Sequence, residues 1–161
     1  MSENSTSLAT FYKGWDRYQE HLVRAVAPLS AEQLAMSPAP HLRSIGVLVA
    51  HIIAARVWWF HYVLGEGGDD LASLATWDDD DQPARTADEL VRGLEATWQV
   101  IWTALERWTP ADLVQIFPRP RAPERTYSRQ WIIWHVIEHD VHHGGELSYA
   151  LGMHGVAGID L

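Results

Sequence analysis

The sequence predicts an all-α protein, a four-helix bundle with one long crossover connection. Apolar residues recur at spacings of three and four in four separate stretches, and the breaks between them hold the proline, glycine and capping residues that stop and start helices. In addition, some of the nine histidines occupy slots that a bundle would otherwise fill with apolar side chains, which fits a metal site built between helices.

The first helix is expected from about Ser7 to Ala27, with Leu8, Phe11, Trp15, Tyr18, Leu22 and Val26 as its apolar stripe, and it stops before Pro28. Ser30 with Gln33 forms a capping-box signature for one short turn, Ala31 to Ala35. Ser44 can cap a second helix from Ile45 to Leu64 that Gly65 ends. That helix is apolar almost all round, so it is expected to be buried on more than one side. Its stripe of Val47, His51, Ala54 and Trp58 puts His51 in an apolar slot, whereas His61 reads as structural.

The stretch from Asp69 to Pro83, with its WDDDD, reads as the long acidic connection. Its carboxylates neither alternate nor carry a glycine at the positions of a calcium loop, so a solvated segment is expected there. Thr86 with Glu89 opens a third helix through Trp108, with Leu90, Leu94, Trp98, Ile101, Trp102 and Leu105 facing inward. Thr109 and Pro110 start a short turn. From Phe117 to Thr126 the chain is rich in proline and arginine, cannot continue a helix, and reads as a solvated loop.

The last helix, capped by Ser128 and ending before Gly152, organises the rest. Within it Ile132, Val136, His139, His143, Leu147 and Ala150 follow one another at helical spacing. Residues four apart lie on one face with Cβ atoms about 5–6 Å apart, so His139 and His143 can reach a single ion. His135 and His139 have the same spacing, but at about 100° per residue His135 and His142 turn further toward the polar side. His139 and His143 are therefore the favoured ligands, a third could come from His51, and His135 and His142 remain as candidates for acid–base work beside them. Asp140 projects toward the apolar arc, where an unpaired charge is costly, so it needs a partner: a ligand it supports, or a group across a dimer interface. Glu146 reads as a surface or cleft-edge residue.

At 161 residues and 18.2 kDa the chain suits one domain spanning residues 1–161. A net charge of −9 and a pI near 5.3 disfavour a nucleic-acid partner. With no cysteine there is no disulfide, thiolate nucleophile or thiolate ligand, so any thiol chemistry must use an external sulfur. The opening MSENSTS lacks the features of a signal peptide, and no apolar stretch reads as long and clean enough to span a bilayer, which places the protein in the cytoplasm without a membrane partner.

The pattern of His51 in the second helix, HDVHHGGEL at His139 to Leu147 and LGMHG at Leu151 to Gly155 resembles the DinB/YfiT-like family of helical-bundle proteins over nearly the whole chain. The resemblance implies one divalent metal, zinc or nickel, held by His51, His139 and His143, and a homodimer. For some relatives it implies transfer of a low-molecular-weight thiol, such as mycothiol or bacillithiol, to an electrophilic small-molecule substrate. Where many members have an arginine after the last histidine pair, this chain has Gly144. Three imidazoles leave coordination positions open, which suits a catalytic site; hydrolysis by metal-bound hydroxide is a related expectation. A non-catalytic divalent-metal-binding homodimer in stress response is the alternative. The HExxH arrangement of a metalloprotease is missing, because Asp140 follows His139.

Overall fold

Side-chain caps set most helix starts in the computed structural model, which describes residues 6–161. At the short α2 (Ala31–Ala35) the Ser30 hydroxyl accepts from the Gln33 amide, and the Ser30 amide donates back to the Gln33 side chain. Thr86 and Glu89 close the start of α4 (Ala87–Arg107) in the same way. Ser44 accepts from Val47 at the head of α3 (Ile45–Val57), as Ser128 does from Trp131 at the head of α5 (Arg129–Met153). Such a cap contributes typically ~1 kcal/mol.

The first helix, α1 (Lys13–Val26), has no side-chain cap and is entered through a 3-10 turn, Leu8–Phe11. The continuous helix expected from Ser7 is thus broken at Tyr12, because the Leu8 amide donates to the Trp108 carbonyl at 2.8 Å and holds the turn against the end of α4. Phe11 consequently faces solvent instead of joining the stripe. At the other end of the chain α5 runs through Gly152 to Met153, and Gly155 takes the positive φ of 70° that reverses the backbone.

Four long helices form the bundle, with α3 packed against both α4 and α5, and α1 lying on α4. Beyond Val57, α3 winds on as a π-helical turn, Trp58–Val63, until Gly65 at φ 73° ends it. By length and composition Ile45–Val63 could cross a membrane, which corrects the expectation that no stretch is apolar enough. The bundle itself uses that surface: Ile45, Ile52 and Ile53 are wholly buried, each stabilising the fold by about 1.5–3 kcal/mol.

The core has an aromatic half, including Trp15, Phe60, Trp98 and Trp108, and an aliphatic half, including Leu22, Ile52, Leu94 and Leu147. Where the two meet along the chain, each long helix contributes a buried polar residue: Gln19, Arg56, Thr97 and Asp140. Arg56 donates from Nη2 and Nε to Asp140 at 2.7 and 3.1 Å and from Nη1 to Gln19 Oε1 at 2.7 Å, while Trp15 Nε1 donates to Asp140 at 2.8 Å. Both members of the Arg56–Asp140 pair are 0% exposed at the side chain. This corrects both readings of Asp140, support of a ligating histidine and a contact across a dimer interface: its partners are the internal Arg56 and Trp15.

The proline- and arginine-rich stretch is also a correction. It forms an antiparallel hairpin of β1 (Ile116–Arg119) and β2 (Ala122–Ser128), with Phe117 opposite Tyr127 and Arg119 opposite Ala122. Proline bars a helix there but is tolerated in a ribbon whose strands are both edges, and Arg121 at φ 64° makes the tight turn. The hairpin is anchored by Tyr127 stacking on Trp131 and by Arg129 lying over the Phe117 ring.

Candidate metal centre

Because α3 and α5 are neighbours, the half-buried face of His51 on α3 meets that of His139 and His143 on α5. His51 Nε2 and His139 Nε2 are 3.1 Å apart, and the His143 ring centroid lies 4.6 Å from that of His51 and 4.3 Å from that of His139. One donor nitrogen from each of the three falls within 4.8 Å of the others, an arrangement that can hold one ion. The neighbours Val47 and Trp58 of the α3 stripe are partly exposed, so this face opens toward solvent and is not sealed in the core.

Two of the rings are oriented by carboxylates. His51 Nδ1 donates to Asp78 Oδ2 at 2.6 Å, and His143 Nδ1 donates to Glu146 Oε2 at 2.7 Å, with the tautomers assigned from the hydrogen-bond network. Each bond leaves Nε2 with a free lone pair and raises its basicity, the usual support for a ligating histidine. Asp78 thus departs from the solvated acidic loop expected of WDDDD, and Glu146 does more than edge a cleft. Aspartate within a run of four could not be singled out from sequence; Glu146 could have been, since it lies three residues after His143 on one helix face.

Electrostatics keep the two α5 rings, His139 and His143, neutral. Burial, and then the neighbouring His143 and His51, push the His139 pKa down to about 3. Burial lowers that of His143 too, with Glu146 acting against the shift. The carboxyls move in the complementary direction: Asp78 is held low first by the hydrogen bond from His51 and Glu146 first by that from His143, with the Arg43 charge adding to both. Neutral imidazoles offer lone pairs at pH 7 without releasing protons. The donor set, all imidazole nitrogen, fits a borderline divalent ion. Among the described residues the only polar contact of the His139 ring is its Nε2 against His51 Nε2, inside the cluster itself, and its Nδ1 is buried without a partner.

His135 and His142 lie outside this group of donors. His135 stacks on Trp131 at 4.7 Å with Trp59 edge-on, 6.3 Å from the His139 ring. His142 is exposed, with Nε2 at 3.4 Å from Glu146 Oε1. His61 is structural in the sense expected, its Nδ1 meeting the Glu66 carbonyl at 3.0 Å. Gly144 has a steric reason to be glycine: a Cβ there would overlap the Tyr18 hydroxyl.

A model of the DinB family matches residues 1–160. The chain belongs to the DinB family. Among solved structures, a DinB-like protein from Bacillus cereus ATCC 10987 is similar in fold, with a TM-score of 0.76 at 20% identity over 98% of this chain and 99% of that one. A DinB-like protein from Bacillus subtilis gives a TM-score of 0.62 at 17% identity, covering 89% of this chain and 90% of its own. A conserved protein from Enterococcus faecalis gives 0.62 at 18% identity, covering 84% and 89%. No curated protein matches the sequence.

Proposed function

We propose that this DinB-family chain is a cytoplasmic metal-dependent enzyme in which His51, His139 and His143 hold one divalent ion, zinc or nickel, and that it transfers a low-molecular-weight thiol to a small electrophile. The observation that carries the reading is the convergence of three imidazoles, two of them oriented by carboxylates, on a face open to solvent. An ion held there supplies Lewis acidity, drawing a coordinated thiol or water toward its nucleophilic form near neutral pH. The protein's own part is to fix three imidazole ligands, leave room for a reactant, and hold the ligand tautomers through Asp78 and Glu146. The absence of cysteine makes the thiol an external one, of the mycothiol or bacillithiol type. In this reading His142, exposed beside Glu146, accepts the proton at the rim, and His135 is the second acid–base candidate.

Exposed Trp131 and Trp134 on α5 support a homodimer, because side chains of that size are usually covered. Sedimentation should give twice the chain mass. The functional test is elemental analysis of protein purified without an affinity tag, followed by assays with several thiols and electrophiles before and after metal stripping. Stoichiometric metal should disappear in each of His51→Ala, His139→Ala and His143→Ala. Metal retained by His139→Ala and lost by His135→Ala would move the site one turn; metal present with no activity toward any pair would leave a metal-binding dimer, and thiol-independent turnover would leave hydrolysis.

A further inference from the structure

Beside the histidines a cavity of about 470 Å³ opens between the segment ahead of α3 and the outer face of α5. Its walls include His41, Leu42, Arg43 and Leu48 on one side and Glu146 and Tyr149 on the other. Glu146 is the shared wall, because the same carboxylate receives the His143 Nδ1–H at 2.7 Å. We infer that this cavity binds a small molecule made of a carboxylate and an apolar body, with Arg43 reading the carboxylate.

The charge balance selects the ligand's sign. Glu146 is already engaged by His143 and lies 3.4 Å from His142, so it is not free to receive a cation. Arg43 is exposed and takes part in none of the ion pairs among the described residues. It therefore presents an uncommitted guanidinium, whose planar fork matches a carboxylate in bidentate fashion. Arg43 lines the same cavity as Glu146, the carboxylate that holds His143, which places it at the rim of the histidine cluster. Exposed Leu42 and Tyr149 supply apolar surface for the rest of the ligand, and the volume falls in the range of small-molecule sites, about 300–1,000 Å³. The binding itself needs no metal, so the inference goes beyond the proposed function and does not rest on it.

The test uses two isosteric probes, 4-phenylbutanoate and 4-phenylbutanamide, titrated by NMR into the full chain with zinc loaded and with metal removed. The expected result is that the carboxylate binds about tenfold more tightly than the amide, the scale of one charge-assisted contact at a partly exposed site, in both forms of the protein. Arg43→Gln should abolish that preference and Arg43→Lys should keep part of it, with zinc content unchanged in both. Equal binding of the two probes to the wild type, or a preference that survives Arg43→Gln, would overturn the inference. A preference seen only with zinc present would also overturn it, since the ion would then be holding the carboxylate. If zinc fails to bind at all, the metal-free titration still decides the question, so failure of the metal reading and failure of this one are told apart.

Discussion

Removing the Asp140 carboxylate should destabilise the protein more than removing any histidine of the cluster. In Asp140→Ala the buried Arg56 guanidinium loses acceptors at 2.7 and 3.1 Å, and the Trp15 indole N–H loses its acceptor at 2.8 Å. Stranding one member of a buried ion pair costs about 3–5 kcal/mol, and an unsatisfied buried N–H adds about 1–3 kcal/mol. Arg56 keeps Gln19 Oε1 at 2.7 Å and the Leu94 carbonyl at 3.3 Å, so the lower part of the summed range applies, about 4–6 kcal/mol. At about 2–4 °C per kcal/mol for a chain of this size, the melting temperature should fall by roughly 10–20 °C. Because whole-domain stabilities are about 5–15 kcal/mol, the variant should sit close to unfolding at room temperature. The paired change Arg56→Met with Asp140→Leu removes both charges and should recover most of the loss, since well-packed apolar replacements of buried pairs are often neutral or better. Urea melts of the three proteins decide the matter. A loss below about 1 kcal/mol in Asp140→Ala, or a double variant no more stable than the single one, would refute the argument.

Asp78→Asn and Glu146→Gln should each weaken metal binding by about 10–100-fold while leaving stoichiometry intact, measured by competition with a chromophoric chelator; unchanged affinity would mean the carboxylates do not support the ligands. Chelation should lower the melting temperature without removing helicity, because the ion adds only about 2.7 kcal/mol when a hundredfold above its dissociation constant; loss of the circular dichroism signal at room temperature would make the site structural. In metal-free protein, stability should be pH-dependent with a definite sign. Burial lowers the folded-state pKa of His139 to about 3 and also lowers that of His143, so below the unfolded value of about 6.5 the unfolded chain binds more protons. Their contribution is complete above about pH 6.5 and is lost as pH falls toward the folded values, so melts at pH 8 and pH 5 should differ, and less so in His139→Gln. An equal slope in that variant would contradict the assignment.

The helices were legible because their determinants are local. Ser30, Ser44, Thr86 and Ser128 each cap a helix within three residues, and the histidines stood out because they interrupt apolar stripes of known period. What stayed hidden depends on partners far along the chain. The hairpin needs Phe117 to find Tyr127 across a turn built on Arg121, a residue type that does not advertise a positive φ. Asp78 looks like its acidic neighbours until the connection folds it against His51, and nothing local to Arg56 points to Asp140, its partner 84 positions later.

That last pairing bears on the metal site as much as on stability. Arg56 lies five residues after His51 on α3, and Asp140 directly follows His139 on α5. A guanidinium and a carboxylate that are both fully buried can be satisfied only in one rotational setting of α5 against α3, whereas apolar side chains would tolerate several. Sliding α5 by one residue would turn its faces by about 100° and carry Asp140 away from Arg56. The same slip would carry His139 away from His51, whose Nε2 atoms now stand 3.1 Å apart. The polar layer through Gln19, Arg56, Thr97 and Asp140 is therefore expected to pin the register of the bundle: Arg56→Met with Asp140→Leu should weaken metal binding even where it recovers stability, and unchanged metal affinity in that double variant would refute the expectation.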